Sequence, residues 1–147
     1  MSYSVIRDQI ETELKSITGI GNVHDYERLQ NVEKTVVTFK KSGAVCAEWT
    51  ITRQSTIEST EDYRIIERSH VFIIRGYYPL NDKNATEKTF QDLVEDVMAH
   101  FRYLDTLSDT VFTQKPLELV VFEPRAFGNT LVHYAEIKLD LLEKIVL

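Results

Sequence analysis

The stretch that decides the fold runs from Val45 to Gly76: VCAEWTITR over 45–53, QSTIESTED over 54–62, and YRIIERSHVFIIRG over 63–76. In the first part Val45, Ala47, Trp49 and Ile51 alternate with Cys46, Glu48, Thr50 and Thr52, the period-two pattern of a half-buried strand. In the last part Val71-Phe72-Ile73-Ile74 is apolar on both faces, which asks for a central position in a sheet or a second cover. Between them, Gln54 to Asp62 holds three acids and one apolar residue, Ile57. That composition predicts a polar loop too poor in apolar surface to order itself. Two strands around such a loop predict one extended β-hairpin.

Helices flank this hairpin. Upstream, Ile6, Ile10, Leu14 and Ile17 draw a helical stripe over Tyr3 to Ile17, with Gly19 and Gly21 as the stop. Asn31 to Lys41 carries Val32, Val36 and Phe39 at helical spacing, although Val36 to Phe39 also suits a strand. Downstream, Asn84 to Glu87 has capping-box spacing. Phe90, Leu93, Val94, Val97, Phe101 and Leu104 then form one apolar stripe, opposite Asp92, Glu95, Asp96 and Arg102. Two strands close the chain, Leu117 to Glu123 and Thr130 to about Leu142, joined by a loop over Pro124 to Asn129. Hairpins with helices between them predict an α+β fold. The expected architecture is a single domain over 1–147, with a mainly antiparallel sheet of about four strands carrying the N-terminal and central helices.

Composition narrows the function classes. The chain has 147 residues, of which 43% are apolar and 27% charged, as in an ordinary globular domain. Seventeen basic residues against 23 acidic ones give a net charge of −6, the wrong sign for a protein that grips nucleic acid across its surface. One cysteine, Cys46, excludes an internal disulfide framework. Apolar runs such as Val71 to Ile74 are far short of the roughly 20 residues that span a bilayer. Met1 to Ile10 carries Arg7, Asp8 and Gln9 where a secretion signal needs an apolar run, so a cytoplasmic location is expected.

Motifs for chemistry are sparse. GxGxxG, GxxxxGK[ST], HExxH and GxSxG do not occur. His24, His70, His100 and His133 lack metal-ligand spacing with one another or with Cys46. His70 and His133 each fall in a predicted strand and could meet across a sheet. With Glu136 they form the one constellation on which a small enzyme could be built. Cys46 has no neighbouring base, so it is expected to be structural. Asp92, Glu95 and Asp96 suit a solvated helix face, and Arg64, Arg68 and His70 a positive stripe on one strand face. No catalytic residue, cofactor or metal is therefore expected.

Several segments taken together resemble a known family. They are Ile17 to Arg28 (ITGIGNVHDYER) after the first helix, Trp49 to Arg53, His70 to Tyr77, Phe90 to Val94, and Val132 to Ile137. The chain is similar over nearly its whole length to neck and tail-completion proteins of long-tailed bacteriophages and prophages, specifically the tail terminator type. The resemblance rests on size, element order and diffuse motifs. It implies a structural virion protein, an α+β subunit that assembles into a ring, typically a hexamer. The ring caps the tail tube and joins it to the head connector. It further implies tail tube and head connector proteins as partners. No membrane contact and no sequence-specific nucleic-acid binding are expected. The host cytoplasm during assembly, then the virion neck, would be its location. Other readings are a different α+β binding module or a small enzyme around His70 and His133. Candidate interface residues are Arg53, Glu58, Glu61 and Arg64 around the polar loop, and Arg125 and Phe127 in the C-terminal hairpin.

Overall fold

A computed structural model describes residues 2–26, 47–102, 111–127 and 130–147. The predicted element over Asn31 to Lys41, Cys46 and Leu104 lie outside the described residues. The chain begins with helix α1, Ser2–Lys15, whose Ile6, Ile10 and Leu14 are fully buried. Gly19 and Gly21 follow at φ 78° and 91°, left-handed angles that glycine adopts without steric cost. Strand β1, Asn22–His24, comes next. A Cβ on Gly21 would lie 2.2 Å from the Ala47 carbonyl oxygen, so this loop is pressed against the entry of β2.

Strands β2, Glu48–Asp62, and β3, Ile65–Pro79, form the long hairpin. The hairpin is longer than the sequence suggests, because Gln54 to Asp62 is strand and not loop. Its residues pair with β3 from Ser55↔Val71 to Asp62↔Ile65, and only Tyr63 and Arg64 turn the chain. The backbone ladder supplies the order that side-chain burial cannot. Nor is the start of β2 half-exposed. Glu48 and Thr50 are as buried as Trp49 and Ile51.

A 3₁₀ turn, Asp82–Asn84, leads into helix α2, Thr86–Arg102. Asn84 sits inside that turn and is not the helix cap. Ala85 takes a left-handed conformation, and its carbonyl accepts from Lys88 N–H. Phe90, Leu93, Val94, Val97 and Phe101 are buried, as their spacing predicts. Strands β4, Val111–Gln114, β5, Glu118–Phe127, and β6, Thr130–Val146, complete the chain. β5 continues through the segment expected to be a loop, with Pro124 opposite His133. A proline is compatible with pairing on one side when the strand lies at an edge.

The described residues thus form an α+β fold, a sheet with two helices and one long hairpin. Its six strands fill five positions, in the order β1-β2-β3-β6-β4, with β5 also on β6. The two strands beyond the expected four are the short β1 and β4. Among the described strands only β1–β2 is a parallel pair. Both helices pack on one face, where Trp49, Ile51, Phe72, Ile74, Ile137 and Leu139 meet Ile6, Ile10, Phe90 and Val97. Phe90 is the hub of this layer, with the rings of Trp49, Tyr78 and Phe122 at 5.8, 5.5 and 5.5 Å. On the opposite face Tyr77, Val132 and Tyr134 form a second cluster backed by Val121. Ile73, on that same face, is 3% exposed. The second cover that the apolar run asks for is therefore supplied within the chain at that position.

Candidate interaction site

The sheet ends in two hairpins that point in opposite directions. β3 runs antiparallel to β6 from Ile65↔Val146 to Pro79↔Val132, so the β2–β3 turn lies beside the C-terminus and the Phe127↔Thr130 rung of β5–β6 lies at the far end. β6 alone has 17 residues, about 55 Å at roughly 3.3 Å per residue.

The β2–β3 end carries Glu58, Glu61 and Arg64 of the exposed residues expected at an interface, while Arg53 stands midway along the sheet, opposite Phe72. Arg53 stands on the helix side, its guanidinium 4.1 Å from the Tyr3 ring centroid. Glu58 pairs with Arg68 at 3.0 Å. Glu61 is exposed. Arg64 donates its backbone N–H to the Asp62 carboxylate at 3.1 Å and accepts from Leu147 N–H at 2.7 Å, which pins the C-terminus to the turn. Apolar groups gather at the same end: Ile57, Tyr63, Val146 and Leu147 are 68%, 92%, 77% and 72% exposed.

A buried charged network fastens the base of this arm. His70 and Glu143 are 0% and 1% exposed. His70 Nε2 lies 2.9 Å from Glu143 Oε1, and His70 Nδ1 lies 2.9 Å from Thr56 Oγ1. An ionised carboxylate only accepts, so Nε2 carries the proton, and in the neutral ring Nδ1 accepts from the Thr56 hydroxyl. Arg68 Nη1 also donates to Glu143 Oε1 at 3.4 Å. Three strands are thereby tied together. Arg68 and His70 face Glu58 and Glu143, so they do not form the positive stripe that the strand pattern suggested. Arg64 belongs to the turn.

Hydroxyl, imidazole and carboxylate follow one another here in the order of an acyl-transfer relay. Among the described residues, two grooves of about 380 and 300 Å³ share Thr18 and Asp96 between the end of α1 and helix α2, and neither is lined by Thr56, His70 or Glu143. The constellation of His70, His133 and Glu136 is not assembled. His70 is opposite Leu141 in β6, eight positions from His133, about 26 Å along the strand. His133 lies on the helix side, 2.9 Å from Thr86 Oγ1 and stacked on Phe90. Glu136 lies on the other side, with Tyr134 and Arg75. Burial lowers the His133 pKa below its ordinary value. Burial, followed by the hydrogen bond to Glu136, pushes the Tyr134 phenol up.

At the opposite end, Arg125 pairs with Glu123 at 3.0 Å and lies 3.7 Å above the Tyr134 ring. Phe127 is opposite Thr130 in the last rung of β5–β6, and its side chain is outside the described residues. The six candidate residues thus do not form one site: Glu58, Glu61 and Arg64 lie at one end, Arg125 and Phe127 at the other, and Arg53 midway between them. Sequence reasoning missed His70–Glu143, Thr56 and the Arg75–Tyr134–Glu136 network. Each depends on a cross-strand register that no local pattern encodes.

Among the described residues no three His, Cys, Asp or Glu are placed to hold a metal ion, and no helix is long and apolar enough to cross a membrane. No protein-family model matches the chain, and no curated protein is significantly similar to it.

Proposed function

We propose that this chain is a structural subunit of a bacteriophage or prophage neck, a tail terminator whose ring caps the tail tube and joins it to the head connector. One observation carries the reading: a single rigid sheet presents exposed contact groups at two opposite ends. A joining piece needs two such ends, one for each neighbour. The arm end offers Glu58, Glu61, Arg64 and apolar Ile57 and Tyr63, and the other end offers Arg125 beside Glu123. Aromatic and arginine side chains are the usual anchors of interfaces. The net charge of −6 suits a channel that lets DNA pass with few phosphate contacts. Ring partners would be further copies of the chain, and the axial partners a tube protein and a connector protein. The reading assigns no catalytic residue, cofactor or sequence-specific nucleic-acid contact. It places assembly in the host cytoplasm and the finished ring in the virion.

Native mass spectrometry and a tube-capping assay test it together. The expected result is a closed multiple of 17.1 kDa, six copies in the typical case, alone or on tail tubes, and tubes that stop growing when the protein is added. A protein that stays monomeric in the presence of tubes and leaves their growth unchanged would refute it.

A further inference from the structure

Among the described residues, the outer edge of β2 is paired only at its start. β1 covers it only where Asn22, Val23 and His24 face Glu48, Trp49 and Thr50. Beyond that point no described strand pairs with it. An open edge is a template for another strand, and proteins restrict it with bulges and charges. Both devices are present. The β2–β3 register shifts between Arg53 and Ser55 and again between Ser59 and Asp62. Glu58, Glu61 and Asp62 supply the charge. The two irregularities leave one regular window, Ser55-Thr56-Ile57-Glu58-Ser59.

That window reads nearly the same in both directions about Ile57. Ile57 is 68% exposed and pairs with Ser69 on the face without helices. We propose that the free protein forms a twofold dimer in which β2 of one copy pairs antiparallel with β2 of a second copy, centred on Ile57. Ser55 then faces Ser59, Thr56 faces Glu58, and Ile57 faces Ile57. Ser and Thr pairs and apolar pairs are favourable in directly opposed positions, and like charges are not. This register sets Glu58 against Thr56 and never against Glu58.

Parity selects this register over its neighbour. Paired positions sum to 114, an even number, so odd faces odd and both helix layers lie on one side of the joined sheet. A shift by one residue would place Ile57 opposite Glu58 and bring the helix face of one copy level with the bare face of the other. The symmetry also closes, because each copy uses its β2 edge once, and so gives a dimer and no fibre. Five paired residues bury less than the roughly 1,200 Å² of a stable interface, so the dimer belongs to the weak, transient class. It is a contact of the free protein and does not depend on the neck reading.

Disulfide trapping tests it in a Cys46→Ser background. Directly opposed Cα atoms of an antiparallel pair are about 4.5–5.5 Å apart, within the range a disulfide bridges. Ile57→Cys is expected to cross-link to itself under mild oxidation. Ser55→Cys is not, because its two copies lie about 13 Å apart along the strands. Mixing Ser55→Cys with Ser59→Cys restores the cross-link. Circular dichroism shows that each variant is folded. Cross-linking of Ile57→Cys no faster than Ser55→Cys, or no gain on mixing, overturns the proposal. Either outcome can coexist with a ring measured by mass, so the two readings fail separately.

Discussion

Gly76→Ala is a single methyl whose effect the packing fixes in sign. Gly76 lies in the middle of β3, opposite Trp49 on one side and Ala135 on the other. A Cβ there would sit 2.4, 2.7 and 2.8 Å from three carbons of the Trp49 indole. Carbon atoms rest at about 3.5–4.0 Å, so the indole must move by about 1 Å. It has no room to do so. Trp49 is fully buried, Phe90 lies against it, and its Nε1–H donates to the Ile20 carbonyl at 2.8 Å. Overpacking of this kind costs about 1–3 kcal/mol, and a strained or lost hydrogen bond adds about 1 kcal/mol. Against this stands the gain of about 0.5–1 kcal/mol when alanine replaces glycine inside a strand. The expected net loss is about 1.5–3 kcal/mol. Trp49 is the only tryptophan, so urea unfolding followed by its fluorescence reads the site directly. The midpoint should fall at an unchanged slope. Gly76→Ala should cost less in a Trp49→Phe background followed by circular dichroism, which isolates the contact as a coupling energy. A neutral or stabilising Gly76→Ala in the parent chain would refute the reasoning, because strand propensity alone would then govern the position.

Two further outcomes follow from buried polar groups. Glu143→Ala leaves His70 and Arg68 facing an empty buried site and should destabilise by about 3–5 kcal/mol. Glu143→Gln keeps an acceptor for His70 Nε2–H and should cost less, a ranking that denaturant titration checks. His133, whose pKa burial lowers, binds its proton more readily in the unfolded chain. Its stabilising contribution is therefore complete above the ordinary histidine value near 6.5 and is lost as pH falls through that value, until the lower folded-state pKa is passed. His133→Asn should remove this part of the pH dependence between about pH 7.5 and 5, seen as a smaller drop in midpoint than in the parent.

Sequence alone determined what repeats at short range. The stripe Ile6, Ile10 and Leu14 specifies a helix because 3.6 residues per turn put those side chains on one side, and the same holds from Phe90 to Phe101. The alternation Ala47, Trp49, Ile51 and the run Val71 to Ile74 specify strands, and helices between hairpins specify the α+β class. Burial on the second face of β2 was not legible, since Glu48 becomes buried through Asn22 and His24, 26 and 24 positions away. The loop assigned to QSTIESTED failed for a related reason. Local composition measures what a segment can bury by itself, whereas a ladder to β3 orders it through backbone hydrogen bonds that no side chain announces. Pro124 misled in the same way, because only strand order makes β5 an edge that accepts a proline. The pairing of His70 with Glu143, 73 positions apart, exists only because β3 and β6 are neighbours in one register. Period and propensity act between residues a few positions apart, while strand order and register are properties of the assembled sheet, and it is these that set where each exposed candidate residue stands.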